Sequence, residues 1–216
     1  MNAEQPGFIV VEGPIGVGKT TLARRLAHSF GTELLLEAAE DNPFLERFYQ
    51  DPRGAAFQTQ LFFLLQRARQ VQEWRQADMF APVRVADYLM EKDRLFAQLT
   101  LDPDELRLYD QVYAQLTLDA PRPDLVIYLQ APVEVLLERI GRRGRSFERQ
   151  LDPDYLTRLT ELYTEFFYHY AGAPLLIVNA AGIDLANNEE DYGLLLEQLK
   201  RVRSGRHYFN PSPIAV

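Results

Sequence analysis

The run GPIGVGKTT, Gly13 to Thr21, follows the apolar stretch FIVVE and precedes a helical pattern, and no other segment restricts the possible fold as strongly. The spacing Gly13-x-x-x-x-Gly18-Lys19-Thr20, with a strand before it and a helix after it, is the setting in which a glycine-rich loop cradles phosphate. Gly13, Pro14, Ile15, Gly16, Val17, Gly18, Lys19, Thr20 and Thr21 would wrap a nucleotide's phosphates, with the backbone N–H groups of the non-proline residues at a positive helix terminus. Lys19 would neutralise charge near the transferred group, and the Thr20 hydroxyl would ligate Mg2+. An incidental glycine turn is the plainer alternative, but it does not account for the strand and helix on either side.

Such a loop requires a buried parallel strand, and the rest of the chain provides neighbours for it. Short β-rich runs at 8–12, 34–37, 83–87, 125–129 and 175–178 alternate with helical patterns over 18–30, 55–76, 90–100, 104–117, 133–142, 153–170 and 189–203. This alternation predicts an α/β fold, a three-layer α/β/α sandwich around a five-stranded parallel sheet that carries the P-loop, whose ligands lie beyond the carboxyl ends of the strands. Asp102-Pro103 and Asp152-Pro153 each place a capping side chain ahead of proline at a helix start. No repeat or linker divides the 216 residues, so 1–216 reads as one domain, with a lid at about 139–149 and an extended C-terminal arm at about 204–216.

Composition narrows the function. A net charge of −8 disfavours a general nucleic-acid surface, and no apolar run approaches the ~20 residues of a membrane span. MNAEQPG does not read as a secretory signal, and the absence of cysteine excludes disulfides and cysteine–zinc sites; both suit a cytoplasmic protein. Positive charge is concentrated in ERIGRRGRSFER, where Arg139, Arg142, Arg143, Arg145 and Arg149 repel one another unless an anion joins them. With Gly141 and Gly144 as hinges, the segment can close over a triphosphate and stabilise the migrating phosphoryl group; a solvated basic helix end is the alternative.

Three strand ends carry acids: Glu12, Glu37 and Asp87. Asp87 is placed to support Mg2+ beside the phosphate loop, or merely to cap the next helix. Glu37 could take a proton from an attacking hydroxyl, with Glu40 and Asp41 as rivals for that role. On the long apolar helix, Gln60 and Arg67 are two turns apart and share a face, so the amide could read a nucleobase edge while the guanidinium holds an anion.

Together EGPIGVGKTTLA, EAAEDNPFLERFY, QLFFLLQR, VADYLMEKDRLFA and RIGRRGRSFE occur in an order and spacing that resemble the bacterial deoxynucleoside kinases, particularly the deoxyguanosine/deoxyadenosine kinase branch. The resemblance implies that Glu37 is the base for a sugar 5′-hydroxyl, that Gln60 binds the nucleobase and that Arg67 supports Glu37. It also implies that Tyr49 and Glu148 hold the 3′-hydroxyl, that Arg139, Arg143 and Arg145 are lid arginines, and that NAAGIDLANN wraps the donor adenine. Two positions depart from the family. Many members carry an acidic-Arg-Ser run where this chain has Ala86-Asp87-Tyr88, and animal-type members place a base-reading aspartate where this chain has Lys92.

The expected activity is therefore ATP- and Mg2+-dependent phosphorylation of a deoxynucleoside, with a leaning towards purines. The resemblance also implies a homodimer built from the long helices. A nucleoside monophosphate kinase such as a thymidylate kinase would need cations to receive its acceptor, where Glu37, Glu40 and Asp41 stand instead. A nucleotide-gated binding protein would need a switch loop and a residue that positions water.

Overall fold

Consecutive apolar residues in FIVVE and LVIYLQ set the centre of the molecule, because a strand buried on both faces need not alternate with polar residues. The computed structural model describes residues 6–76, 84–117 and 120–210. Its sheet consists of β1 (Phe8–Glu12), β2 (Glu33–Leu35), β3 (Arg84–Ala86), β4 (Leu125–Gln130), β5 (Leu175–Asn179) and β6 (Arg206–Phe209). All neighbouring pairs are parallel, in the order β2-β3-β1-β4-β5-β6. Ile9 lies opposite both Val85 and Leu125, and Val11, Val126 and Ile127 are fully buried. Burying side chains of this kind contributes about 1.5–3 kcal/mol each.

Around the sheet lie α1 (Lys19–Phe30), α2 (Leu45–Gln50), α3 (Pro52–Gln76), α4 (Lys92–Thr100), α5 (Pro103–Leu116), α6 (Val133–Arg143), α7 (Pro153–His169) and α8 (Glu189–Leu199). Both predicted caps form. Asp102 accepts from the Asp104 and Glu105 amides at 2.8 and 2.9 Å, and Asp152 accepts from the Asp154 amide at 2.9 Å. From β1 the chain runs to the edge strand β2, returns to β3 on one side of β1, then crosses to β4 on the other. The carboxyl ends at such a reversal open a crevice, and the phosphate loop leaves β1 at that point.

Among the described residues the sheet has six strands where the sequence pattern predicts five. The C-terminal arm is the source of the difference: Gly205, in the left-handed region at φ 69°, turns the chain so that Arg206–Phe209 pairs with β5. The prolines that favoured an arm, Pro211 and Pro213, lie outside the described residues, as does Val83 at the expected start of the third strand. β2 ends at Leu35, so Glu37 stands two residues beyond the strand. In the lid, Gly141 is inside α6 and only Gly144, at φ 71°, terminates it; a 3-10 turn, Ser146–Gln150, follows.

Candidate active site

The phosphate loop is close to its supports. Gly13 has φ 150°, and a Cβ there would collide with the Leu129 carbonyl; at Gly16, φ 85°, it would press on the Leu136 carbonyl and Ile140. The loop thus lies against β4 and against the helix that carries the lid. The Lys19 ammonium donates to the Gly13 and Pro14 carbonyls at 2.7 and 3.1 Å. Burial, followed by repulsion from the Lys92 ammonium, lowers the Lys19 pKa to about 8, against the opposing pull of Glu12, Glu37 and Asp87.

Asp87 joins this loop to the rest of the site. Its Oδ2 accepts from the Thr20 hydroxyl at 2.5 Å, and its Oδ1 accepts from the Glu37 amide at 2.7 Å, while the residue is only 2% exposed. Its partners are therefore the cradle and the Glu37 segment rather than the amides of α4. A hydroxyl and a carboxylate side by side fit Mg2+, which keeps several waters and takes few protein ligands alongside substrate phosphates. Among the described residues no three acidic or histidine side chains cluster into a closed metal cage.

The segment bearing Glu37 is held from α3 on both flanks. Gln70 donates to the Leu36 carbonyl at 3.1 Å and Gln66 to the Ala38 carbonyl at 3.3 Å. The Glu37 carboxylate accepts from Arg67 through Oε1 and from Lys92 through Oε2, both at 2.5 Å. Burial alone would raise its pKa, but Lys92 and Arg67 overcome that effect and hold the carboxyl well below the usual carboxylate range. Arg67 also pairs with Asp93, so two cations and two anions make a nearly neutral cluster. Of the rivals for the base role, Glu40 is drawn aside by Arg145 at 3.1 Å.

Two cavities meet at the loop. One, of about 560 Å³, runs from Gly18 and Thr21 past Arg139 to Asp184 and Asn187. The other, of about 360 Å³, is lined by Glu37, Tyr49, Gln60, Asp87, Lys92 and Glu148, among others. They share Gly16, Lys19, Thr20, Arg143 and Arg145. Gln60 is 3% exposed, and its amide has no hydrogen-bond partner among the described residues. At the lid end Arg143 pairs with Glu148, and Tyr49 stacks on Phe147 with ring centres 6.1 Å apart. Burial, then the charges of Glu148 and Glu37, push the Tyr49 phenol well above its ordinary pKa, which keeps it a neutral donor.

Arg139 is more restrained than a free finger: its guanidinium donates to the Val17 and Ala180 carbonyls at 3.3 and 2.7 Å. The side chain of Arg149 lies outside the described residues. Sequence reasoning missed Arg25, which donates to the Leu185 and Ala186 carbonyls at 3.0 and 3.2 Å and so ties the 180s loop to α1. It noted Glu12 without giving it a role. Glu12 is fully buried and accepts from the Gly13 and Leu89 amides and the Tyr163 hydroxyl at 2.8, 2.7 and 3.0 Å. A charged residue ending an otherwise apolar buried strand was the available signal.

A phosphate cradle at the head of a central parallel strand, opening into a second cavity with a carboxylate beside the junction, defines a phosphoryl-transferring enzyme of the P-loop kinase class. The deoxynucleoside kinase family model matches residues 9–203. A deoxyguanosine kinase of Bacillus subtilis (strain 168) is 37% identical over 203 residues, covering 90% of this chain and 97% of its own. A deoxyadenosine kinase of Lactobacillus acidophilus is 31% identical over 194 residues, covering 83% and 88% of the two chains. The structure of deoxyadenosine kinase from M. mycoides with bound dATP superposes with a TM-score of 0.77 at 26% identity, covering 89% of this chain and 98% of that one. The chain belongs to the deoxynucleoside kinase family.

Proposed function

We propose that this kinase moves the γ-phosphoryl of ATP to the 5′-hydroxyl of a purine deoxynucleoside, with Glu37 accepting the hydroxyl proton. The observation that carries this reading is the meeting of the two cavities at Lys19 and Thr20, with Glu37 on the wall of the smaller one. ATP would fill the larger cavity and the nucleoside the smaller. As the sugar oxygen bonds to the γ-phosphorus, the bond to the bridging oxygen breaks, ADP leaves with that electron pair, and the proton passes to Glu37. A carboxylate held ionised by two cations is a weak base, which suits a loose transition state in which the proton leaves late.

The other roles follow from position. Thr20 and Asp87 would hold Mg2+, which when bound neutralises charge on the triphosphate. Lys19, Arg143 and Arg145 would face the transferring group, and Arg139 would keep the loop and the 180s segment in place around the donor. Gln60 offers a donor and an acceptor, and so can pair with the edge of either purine. Tyr49 and Glu148 would hold the 3′-hydroxyl, with Tyr49 crowding the 2′ position. The purine assignment is supported by the names of the relatives, and the unpaired Gln60 amide is compatible with it. Exposed Leu65 on α3 and Leu108 on α5, at 47% and 51%, support a homodimer through these helices. Among the described residues no helix is long and apolar enough to cross a membrane, and use of ATP suits a cytoplasmic setting.

ADP release in a coupled assay tests the reading. Deoxyadenosine or deoxyguanosine should stimulate release, whereas 2′,5′-dideoxyadenosine, which lacks the acceptor oxygen, should not. Stimulation by dTMP instead would support a monophosphate kinase, and release indifferent to every acceptor would support a nucleotide-gated switch.

A further inference from the structure

Lys92 and Asp93 open α4 side by side, and both are buried, at 4% and 2% exposure. Lysine is almost never buried unless paired, and a buried ion pair is rarely the most stable way to fill a core. Replacing such a pair with packed apolar side chains is often neutral or stabilising, so two buried charges in the first turn of a helix call for a reason other than stability. The contacts supply one. The Lys92 ammonium is 2.5 Å from Glu37 Oε2 and 5.5 Å from the centre of the Phe96 ring, one turn along the same helix.

The second cation on Glu37 is already committed. Arg67 divides its guanidinium between Glu37 Oε1 and Asp93, and Glu37 Oε2 is the oxygen that meets Lys92. The run Ala86-Asp87-Tyr88 offers no cation there, because Asp87 faces Thr20 and the Glu37 amide. We propose that Lys92 is the positioning residue for the acceptor carboxylate: it fixes Glu37 Oε2 beside the cavity junction and supplies the positive charge missing from the strand end at residue 87.

The position of the other lysine agrees with this placement. Both ammonium groups line the smaller cavity, one held by the phosphate loop and one by Glu37. Removing Lys92 would leave Glu37 with one partner, free to rotate away from the attacking oxygen, and would leave the cluster with an unbalanced negative charge.

This inference rests on Glu37 standing at the acceptor hydroxyl, so Lys92→Met, Lys92→Arg, Lys92→Ala and Glu37→Gln are assayed together, each with a thermal melt. The expected result is a kcat for Lys92→Met lower on the order of 10–100-fold, the range in which loss of one aligned polar contact falls. The KM for ATP should stay within twofold. Lys92→Arg should recover most of the rate, and methylammonium should partly restore Lys92→Ala, which a purely structural lysine would not allow.

A kcat for Lys92→Met within threefold of the parent would overturn the proposal, as would a loss that neither Lys92→Arg nor methylammonium restores in part. So would an unchanged kcat with an altered preference between deoxyguanosine and deoxyadenosine, which would make Lys92 a base reader. If Glu37→Gln loses activity and Lys92→Met does not, this inference alone fails. If neither does, the assignment of Glu37 itself is wrong.

Discussion

The cavities proposed for donor and acceptor are built from different materials. The side proposed for the donor rests on one continuous loop, Gly13 to Thr21, with Arg25 and Arg139 clamping carbonyls of neighbouring segments. On the acceptor side the backbone does little. Glu37 follows β2, Gln60 and Arg67 come from α3, Asp87 follows β3, Lys92 starts α4, and Tyr49 and Glu148 come from α2 and the lid turn. Backbone cradles bind phosphate whatever is attached to it. A pocket assembled from side chains can change its acceptor through single substitutions, which is how one phosphate machine serves different substrates.

Substitutions on the two sides should therefore affect different kinetic constants. The largest effect is expected for Lys19→Ala, with a fall in kcat on the order of 10³-fold, since it removes a preorganised charge at the transferring group. Next, Gln60→Leu should raise the KM for the nucleoside on the order of tenfold, the scale of one unmade buried hydrogen bond, and leave the KM for ATP unchanged. Arg25→Ala should do the reverse, raising the KM for ATP several-fold with little change for the nucleoside, because the 180s loop loses its tie to α1. An ATP effect from Gln60→Leu or a nucleoside effect from Arg25→Ala would break the division.

The smallest effect concerns stability. Lys19 has its pKa lowered from 10.5 to about 8 in the folded protein, so the unfolded chain binds more protons between those values. Stability should accordingly rise as pH climbs through that window. Lys19→Met should melt a few degrees higher than the parent at pH 7, at about 2–4 °C per kcal/mol for a chain of this size. The difference should shrink as pH approaches 10. Equal melting midpoints at both pH values would show that burying Lys19 carries no penalty.

How much was legible in the sequence follows the same division. The cradle is contiguous, Gly13 and Gly16 are forced by the closeness of Leu129 and the lid helix, and its strand-loop-helix setting was readable from the local run. Glu37, Gln60, Arg67 and Asp87 were readable as candidates because charged or amide side chains interrupt apolar elements. Their mutual contacts were not readable, since no local pattern encodes which strand end faces which helix. Lys92-Asp93 is a particular case: adjacent opposite charges in a helix ordinarily mean a solvated surface, and only the fold, by bringing Arg67 and Glu37 against them, makes the pair buried. β6 escaped notice because four residues on a sheet edge carry little periodicity, and nearby prolines pointed to an open arm.

The division itself depends on one group at the boundary. Glu37→Gln keeps the size of the side chain and can still hydrogen bond, but it cannot accept the hydroxyl proton. Steady-state turnover with deoxyguanosine, measured beside calorimetric binding of the nucleoside, should show kcat lower on the order of 10²-fold and a Kd within a few-fold of the parent. Parental turnover would contradict the account, and so would a loss that appears only as weakened binding.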